Sequence, residues 1–394
     1  MEQVAQPRRR LVSIDAYRGF VMFLLLGEMF RFDTLAKAFP ENSFFKFLAL
    51  NQSHVEWLGC TLHDLIQPSF SFLVGVSLAF SLAARSTLQS PLRIALHAFW
   101  RAFVLIALGI FLRSKNGFQT NYTFEDTLTQ IGLGYGFLYL LSRTSIRIQV
   151  LALVLILVGY WSLFATYPLP GENFDWSKTG VKPDWSHNLS GFEAHWNKNT
   201  NPAWAFDVWF LNLFPRAKPF LYNGGGYATL SFIPTLATML LGLLAGQLIR
   251  MEMSEWKKVG WLILAAIGSL AIGWGLEKAG VCPIVKRIWT SSWVLYSGGW
   301  CFLFMAVFQA LCEAARFHRW AFPLVEIGSN AIAAYVMDGL IASWISAAWR
   351  RHMGTENLRI FGLEYESFFL GTLSILTLWL ILFWMYRRKL FIKI

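Results

Sequence analysis

Long apolar runs separated by short polar loops dominate the sequence and constrain its fold more than any other feature. A helix needs roughly 20 mostly apolar residues to cross a bilayer. About ten such runs occur, near residues 16–32, 60–84, 97–113, 126–142, 149–167, 228–249, 259–276, 291–313, 321–346 and 365–386. Only 14% of the residues are charged, against about 25% in ordinary soluble domains. The sequence therefore predicts an all-α polytopic membrane protein, a bundle of about ten transmembrane helices that forms a single domain over residues 1–394.

The basic residues are distributed as in membrane proteins. The net charge is +11, but Lys and Arg lie in short clusters between the apolar runs, which argues for a lipid bilayer and against a nucleic-acid partner. The clusters occupy every second loop, at residues 8–10, 85–93, 143–147, 250–258, 316–319 and 387–389. Because Lys and Arg are enriched in cytoplasmic loops, we expect both termini in the cytoplasm, and we expect the membrane to be a bacterial inner membrane, with a lumenal membrane as the alternative. Three pairs of basic residues depart from this pattern at or near the ends of predicted spans: Arg113 and Lys115, Lys286 and Arg287, and Arg350 and Arg351.

Residues 168–227, termed the cap segment, form the largest stretch outside the apolar runs. The segment is rich in Trp, Asn and Pro, and the loop pattern places it on the extracytoplasmic side. Its aromatic content is too high for a disordered linker, so we expect a structured cap. Two interpretations stay open: a surface where Trp faces and Asn amides bind a sugar, or an interfacial aromatic belt.

The stretch SHVEWLGCTLHDLIQPSFSFLVG, residues 53–75, places ionisable side chains at the mouth of an apolar run. Such groups are costly near a membrane unless they are paired or used. If the stretch is helical, at about 100° per residue one face carries four of its side chains: His54, Trp57, Thr61 and Asp64. His63 would then face away from them. Histidine suits proton transfer near neutral pH and a nearby Asp could orient it, whereas the alternative is a polar lip with His54 and Trp57 as interfacial anchors.

Other polar residues interrupt the apolar runs and indicate a polar interior. Asp15 and Arg18 are i, i+3 neighbours, either a juxtamembrane salt bridge or a site for an anionic ligand from the cytoplasm. Glu28 lies near the far end of the same run, where a carboxylate needs a partner or water. Three further polar residues lie within the predicted spans: Gln130, Asn330 and Asp338. Polar residues in such positions usually face the bundle interior.

Six stretches occur in a fixed order: SIDAYRG, HVEWLGCTLHDLIQPSFSFLVGVSL, FEDTLTQIGLGYGFLYLL, LSFIPTLATMLLGLLAG, VKRIWTSSWVL and EIGSNAIAAYV. Together, from Arg10 to about Tyr335, they resemble the heparan-alpha-glucosaminide N-acetyltransferase family and its bacterial relatives. The ordered set and the H-x-x-W-x-G-x-T-x-x-D pattern of the second stretch make the resemblance specific. It implies a transmembrane acyltransferase that moves acetyl from cytosolic acetyl-CoA to an amine or hydroxyl of an extracytoplasmic sugar.

The resemblance also implies roles for individual residues. His54 matches the histidine proposed to be catalytic in the family, and Asp64 matches the aspartate of the same motif. Glu28 stands near the place of a family Asn tied to activity and is a candidate to replace it, while position 63 is often Trp in relatives. The remaining motif positions are assigned to the two substrates: Gln130, Lys286 and Asn330 to acetyl-CoA, and Trp57, Trp289 and Ser292 to the sugar.

In this hypothesis His54 is the general base that deprotonates the acceptor as it attacks the thioester. Binding both reactants in one cavity makes the reaction effectively unimolecular. Arg18, and after it Arg101, are the candidates to hold the CoA phosphates at the cytoplasmic mouth. Direct transfer and a transient acetyl-imidazole on His54 both stay open. The cysteines have neither CxxC nor zinc-site spacing, so no metal is expected.

The alternative function is a secondary transporter or flippase with a polar central path. Transporters often contain inverted repeats and broken helices. Pro68 and Pro234 lie inside predicted spans, but the sequence contains no convincing repeat. The acceptor, the length of the acyl donor and the choice between monomer and homodimer are open at this stage.

Overall fold

The computed structural model describes residues 11–85 and 89–392. Within this part of the chain there are fourteen α-helices: α1 (Val12–Leu26), α2 (Phe32–Ala38), α3 (Ser43–Asn51), α4 (Ile66–Arg85), α5 (Pro91–Ser114), α6 (Thr127–Ser142), α7 (Ile146–Ala165), α8 (Pro202–Phe210), α9 (Phe232–Arg250), α10 (Glu255–Lys278), α11 (Ser291–Phe308), α12 (Phe322–Ser329), α13 (Ala331–Leu358) and α14 (Glu366–Arg387). Eight of the described helices are long and apolar enough to cross a membrane: α4, α5, α7, α9, α10, α11, α13 and α14. The predicted all-α polytopic membrane fold is confirmed. The basic cluster at residues 8–10 lies outside the described residues.

Two of the predicted spans form helices that are too short for a full crossing. Helix α1 has 15 residues and α6 has 16, or about 23 Å at 1.5 Å per residue, against a hydrocarbon core of about 30 Å. Helix α1 continues into a 3₁₀ turn at Gly27–Phe30. Gln52 holds this turn, since its amide group contacts the Gly27 carbonyl and accepts a hydrogen bond from Phe32 N at 3.0 Å. Helix α6 packs against α5 and α9, so its surroundings are largely protein.

The run predicted as one span over residues 321–346 is divided at Asn330. This residue has φ −128° and ψ 38°, outside the helical region, between α12 and α13. Its side chain donates to Leu390 O at 3.1 Å and accepts from Ile392 N at 3.1 Å. These bonds fix the helix break against the end of α14. Helix α12 is thus a short element packed along α1, and the membrane-length helix is α13.

Helices α4 and α9 approach each other through glycine. A Cβ atom on Gly75 would lie 1.9 Å from Met239 O, and one on Gly242 would lie 1.9 Å from Phe72 O. Both distances are far below van der Waals contact, so larger residues would push the two backbones apart. Because α4 follows directly on Asp64, this contact also anchors one side of the functional site.

We expect Gly75→Ala to destabilise the protein, because the added methyl group meets backbone that cannot move aside. Overpacking of this kind costs about 1–3 kcal/mol. Gly268→Ala in α10 is the matched control: a Cβ there meets no described atom within 4 Å, and alanine is the better helix former. Thermal unfolding in detergent should show a lower Tm for Gly75→Ala only. Equal Tm values for both variants would contradict the close α4–α9 packing.

The cap segment contains α8 and several 3₁₀ turns between α7 and α9. Its buried Trp196 packs with Tyr160 and Phe164 of α7, and its carbonyl accepts a hydrogen bond from Trp57 Nε1 at 3.1 Å. Aromatic packing therefore fixes the cap segment at the end of the bundle where α4 and α11 begin. That it lies outside the cytoplasm stays a prediction.

Candidate active site

Residues 52–62, termed the site loop, are irregular, so the predicted helical face through this stretch is wrong. Gly59 has φ 103°, a conformation that favours glycine. The loop folds back on itself because Thr61 Oγ1 donates to Ser53 O at 2.6 Å. This fold brings His54 to Asp64, with Nδ1 and Oδ1 2.7 Å apart. The two residues meet by loop closure and not by helical periodicity.

The Asp64 carboxylate is fully buried and bonded at both oxygens. Oδ1 contacts His54 Nδ1 and accepts from Lys286 Nζ at 3.1 Å. Oδ2 accepts from Thr61 N at 3.0 Å and from Val55 N at 3.4 Å. Multiple donors stabilise the ionised form of a buried carboxylate. Asp64 is therefore suited to orient its neighbours, while its own oxygens are engaged.

Lys286 comes from residues 279–290, termed the lysine loop. This loop pairs with the site loop through a bridge between Leu58 and Val285 and a hydrogen bond from Gly59 N to Ile284 O at 3.1 Å. Lys286 begins a turn that is closed by a hydrogen bond from Trp289 N to Lys286 O at 2.9 Å, with Trp289 at φ 51°. This turn orients the Lys286 side chain. The side chain of Lys286 is only 5% exposed; burial lowers its pKa and the Asp64 carboxylate opposes that shift.

The short contact between His54 and the Asp64 carboxylate favours the tautomer of His54 that carries its proton on Nδ1. Nδ1 lies 2.7 Å from Asp64 Oδ1 and 3.0 Å from Lys286 Nζ. A proton on Nδ1 satisfies the carboxylate, while Lys286 also donates to that carboxylate. Among the described residues, no hydrogen bond involves Nε2, which carries the free lone pair in this tautomer.

The charge of His54 is set by the same neighbours. Partial burial lowers its pKa; Asp64 acts in the opposite direction and Lys286 lowers the pKa further, for a net decrease. The ring is therefore neutral near pH 7, with Nε2 able to accept a proton. Its side chain is 39% exposed, so Nε2 is within reach of a bound molecule.

A second histidine–carboxylate pair lies beside the first. His63 Nε2 is 2.8 Å from Glu28 Oε1, and the rings of His63 and His54 have centroids 4.5 Å apart. The expectation that His63 faces away from His54 is wrong, because it rested on a helix that does not form. His63 therefore belongs to the site, although the family resemblance implied no role for it.

These side chains line a cavity of about 340 Å³. Its walls come from α1, the site loop, α4, α5, α6, the cap segment, the lysine loop and α13. The cap segment contributes Asn223, Gly225 and Tyr227; the other lining residues are Leu25, Glu28, His54, His63, Ile66, Gln67, Arg113, Glu125, Asp126, Thr127, Lys286 and Tyr335. The volume is near the lower end of the range of about 300–1,000 Å³ for small-molecule sites.

Arg287 connects three segments around this cavity, although no role in the site was predicted for it from the sequence. Its guanidinium donates to Gly225 O at 2.9 Å and to Val55 O at 3.1 Å, and lies over the Tyr227 ring at 5.2 Å. It thus ties the lysine loop to the cap segment and the site loop. The signal available in the sequence was its position, together with Lys286, outside the pattern of basic loops.

Three residues assigned to sugar binding are buried and bonded within the protein. Trp57 Nε1 donates to Trp196 O at 3.1 Å, Trp289 Nε1 to Thr238 Oγ1 at 3.1 Å and Ser292 Oγ to Pro283 O at 2.6 Å. The described lining of the cavity does not include them. They support the site loop and the lysine loop from the protein interior.

The residues assigned to acetyl-CoA do not lie together. Arg18 contacts Asp15 at 3.1 Å and Ser77 at 2.7 Å, and at 1.5 Å per residue it is about 15 Å along α1 from the turn of Glu28. Arg101 contacts the Tyr135 hydroxyl at 3.3 Å and lies over its ring. Asn330 is bonded to the C-terminal segment, as described above. Gln130 is buried beside the cavity, where its amide donates to Phe124 O at 2.7 Å and Thr229 O at 3.1 Å. Of this group Lys286 alone contacts His54.

No family model matches the chain. It is 22% identical over 429 residues to the heparan-alpha-glucosaminide N-acetyltransferase of Homo sapiens, with 98% of this chain and 60% of the relative covered. The enzyme of the same name from Mus musculus is 20% identical over 431 residues, with the same coverage. The chain therefore spans about 60% of the length of these curated relatives.

Proposed function

Because the chain is a distant relative of the heparan-alpha-glucosaminide N-acetyltransferases, we propose that it is a transmembrane acetyltransferase. It would transfer acetyl from acetyl-CoA to an amine or hydroxyl of an extracytoplasmic sugar. The observation that carries the proposal is the cluster of His54, Asp64 and Lys286, with contacts of 2.7–3.1 Å, at the wall of a cavity bordered by the cap segment.

The base in this proposal is His54. Its Nε2 accepts the proton of the acceptor nucleophile while the nucleophile attacks the acetyl carbonyl. Asp64 holds the Nδ1 proton and stabilises the imidazolium that forms, as the carboxylate does in other histidine-based acyl transfers. Lys286 keeps Asp64 ionised and keeps His54 neutral before the reaction. The thiolate that leaves takes the proton back from His54 as a thiol. A route through acetyl on Nε2 uses the same atoms.

The cavity fits the reacting ends of both substrates but not all of acetyl-CoA. A volume of about 340 Å³ accommodates an acetyl thioester and one sugar ring, so the nucleotide part of CoA must bind elsewhere. We assign its phosphates to Arg18, about 15 Å along α1 from Glu28, and, as the second candidate, to Arg101, 12 residues before the cavity-lining Arg113 in α5. Arginine suits this role because its planar fork pairs with phosphate oxygens.

The cap segment is assigned to the acceptor. Asn223 and Tyr227 line the cavity and provide an amide and an aromatic ring, which suit sugar hydroxyls and sugar ring faces respectively. The alternation of basic loops supports an extracytoplasmic position for this end. In this arrangement the donor enters from the cytoplasmic end and the acceptor from the cap.

The test is acetyl transfer by the purified protein. Wild-type protein in detergent is incubated with acetyl-labelled acetyl-CoA and with glucosamine or glucose as acceptor, and label in the sugar is counted. We expect transfer to at least one sugar and a rise in Tm with acetyl-CoA. Absence of transfer, of thioester hydrolysis and of a Tm rise would contradict the proposal and favour the transporter.

A further inference from the structure

The pair of His63 and Glu28 differs from a structural salt bridge in its placement. His63 is 6% exposed and Glu28 is 54% exposed, and both line the cavity that contains His54. The imidazole of His63 is thus packed inside next to the His54 ring, and the carboxylate of Glu28 is open to water. A buried imidazole joined to a solvent-accessible carboxylate at the cavity wall can take a proton from a bound molecule and pass it to water.

The pair is not needed to hold the chain around Glu28 in place. Gln52 already bonds both ends of the 3₁₀ turn, at Gly27 O and Phe32 N. The same turn packs tightly on α14, where a Cβ on Gly371 would lie 1.8 Å from Met29 O. The 2.8 Å contact between His63 and Glu28 is therefore not required to hold the 3₁₀ turn, because the contacts of Gln52 and Gly371 already do so.

We infer that His63 and Glu28 form a second proton-accepting pair, which removes the first proton of an acceptor that arrives as an ammonium ion. The inference rests on the proposed acetyl transfer. His54 accepts one proton per turnover, but an ammonium acceptor must lose two before it becomes an amide.

The proton balance follows directly from the two pairs. The first proton leaves the ammonium for His63 and passes through Glu28 to water, which leaves a neutral amine. The amine attacks the acetyl carbonyl, the C–N bond forms and the C–S bond breaks. The second proton goes to His54 Nε2 and then to the leaving thiolate. The products are an amide, CoA as a thiol and one proton released to water.

Several charged groups surround the pair of His63 and Glu28 and influence how readily it accepts and releases protons. His54 of the site loop and Lys286 of the lysine loop interact electrostatically with Glu28. Asp64 contacts both His54 and Lys286. Glu28 also interacts electrostatically with the carboxyl group of Asp338 in α13. Arg113 of α5 and the carboxylates of Glu125 and Asp126 line the same cavity. Variants must therefore be compared over a pH range and not at one pH.

The experiment measures kcat/KM for glucosamine from one pH unit below to one unit above the pKa of its amine, in wild type, Glu28→Gln and His63→Gln. We expect both variants to lose about tenfold at the lowest pH and to approach wild type at the highest, where solvent has already deprotonated the amine. Glu28→Asp keeps the carboxylate and should recover part of the loss. Glu28 is half exposed, so Glu28→Gln should fold, and its Tm is measured to check this.

The matched control is Glu56→Gln. Glu56 pairs with His187 at 3.4 Å, with side chains 69% and 41% exposed, and neither residue lines the described cavity. This variant should follow wild type at every pH. A ratio of variant to wild type that does not change with pH would overturn the inference and leave the pair structural. If wild type fails to acetylate glucosamine and every other sugar, the proposed function fails first and the inference falls with it.

Discussion

Replacing His54 with alanine is expected to lower acetyl transfer by about 10²-fold or more. The variant loses the free Nε2, the atom that accepts the acceptor's proton, while Asp64 and Lys286 keep each other at 3.1 Å. Because the side chain of His54 is 39% exposed, its removal leaves a small opening at the cavity and should leave the fold intact. The loss should persist at all pH values, unlike that of Glu28→Gln.

The measurement is turnover with labelled acetyl-CoA beside Tm with and without acetyl-CoA. The Tm rise with donor should survive in His54→Ala, since the CoA phosphates are assigned to Arg18 and Arg101, neither of which lines the cavity. His187→Ala is the control, because His187 is also half exposed and paired with a carboxylate but lies on the cap segment. Unchanged turnover in His54→Ala would remove His54 from the mechanism.

The fold could be predicted because its main signal is local. Each membrane-length helix corresponds to one apolar run, and hydropathy is a property of consecutive residues. One error occurs where a single side chain overrides that signal. Asn330 bonds to residues 60 and 62 positions away, and those bonds break the helix that its apolar neighbours predict.

The site could be predicted only in part. His54 and Asp64 were paired for a helical spacing that does not exist, and they meet because Thr61 closes the site loop on Ser53. Lys286 is 222 residues from Asp64, so no local pattern could join them. Its unusual place among the basic loops was a real signal, since an ionisable residue at the end of a span needs a partner.

The aromatic residues show a second limit on predicting binding residues from the sequence. Trp57 and Trp289 were assigned to the sugar from their motif positions and residue type, and both side chains are fully packed inside the protein. Residue type cannot separate a stacking surface from a core in segments without helical or strand periodicity. Tyr227 and Asn223, which do line the cavity, follow no pattern that distinguishes them from other residues of the cap segment.

Replacing Lys286 with methionine is expected to have the largest effect on stability. It leaves the fully buried Asp64 without its cation, and breaking a buried pair in this way costs about 3–5 kcal/mol. Lys258→Met is the control, because Lys258 pairs with Glu255 at 3.0 Å where the carboxylate is 36% exposed; more exposed pairs contribute about 0–1 kcal/mol. Chemical unfolding in detergent compares the two losses, and equal losses would contradict an uncompensated charge at Asp64.

The same substitution has a signature in the pH profile. Lys286 lowers the pKa of His54, so without the cation that pKa rises and the ring becomes protonated at a higher pH. Activity requires the neutral ring, and the acid limb of kcat/KM should therefore move to higher pH in Lys286→Met. Adding Asp64→Asn to Lys286→Met removes the unpaired carboxylate and should recover part of the stability, because neighbouring residues are coupled in such cycles. The acid limb should then move back to lower pH, since the carboxylate that favours the imidazolium is gone as well. A double variant as unstable as the single one, with its acid limb unmoved, would show that Lys286 acts through packing and not through charge.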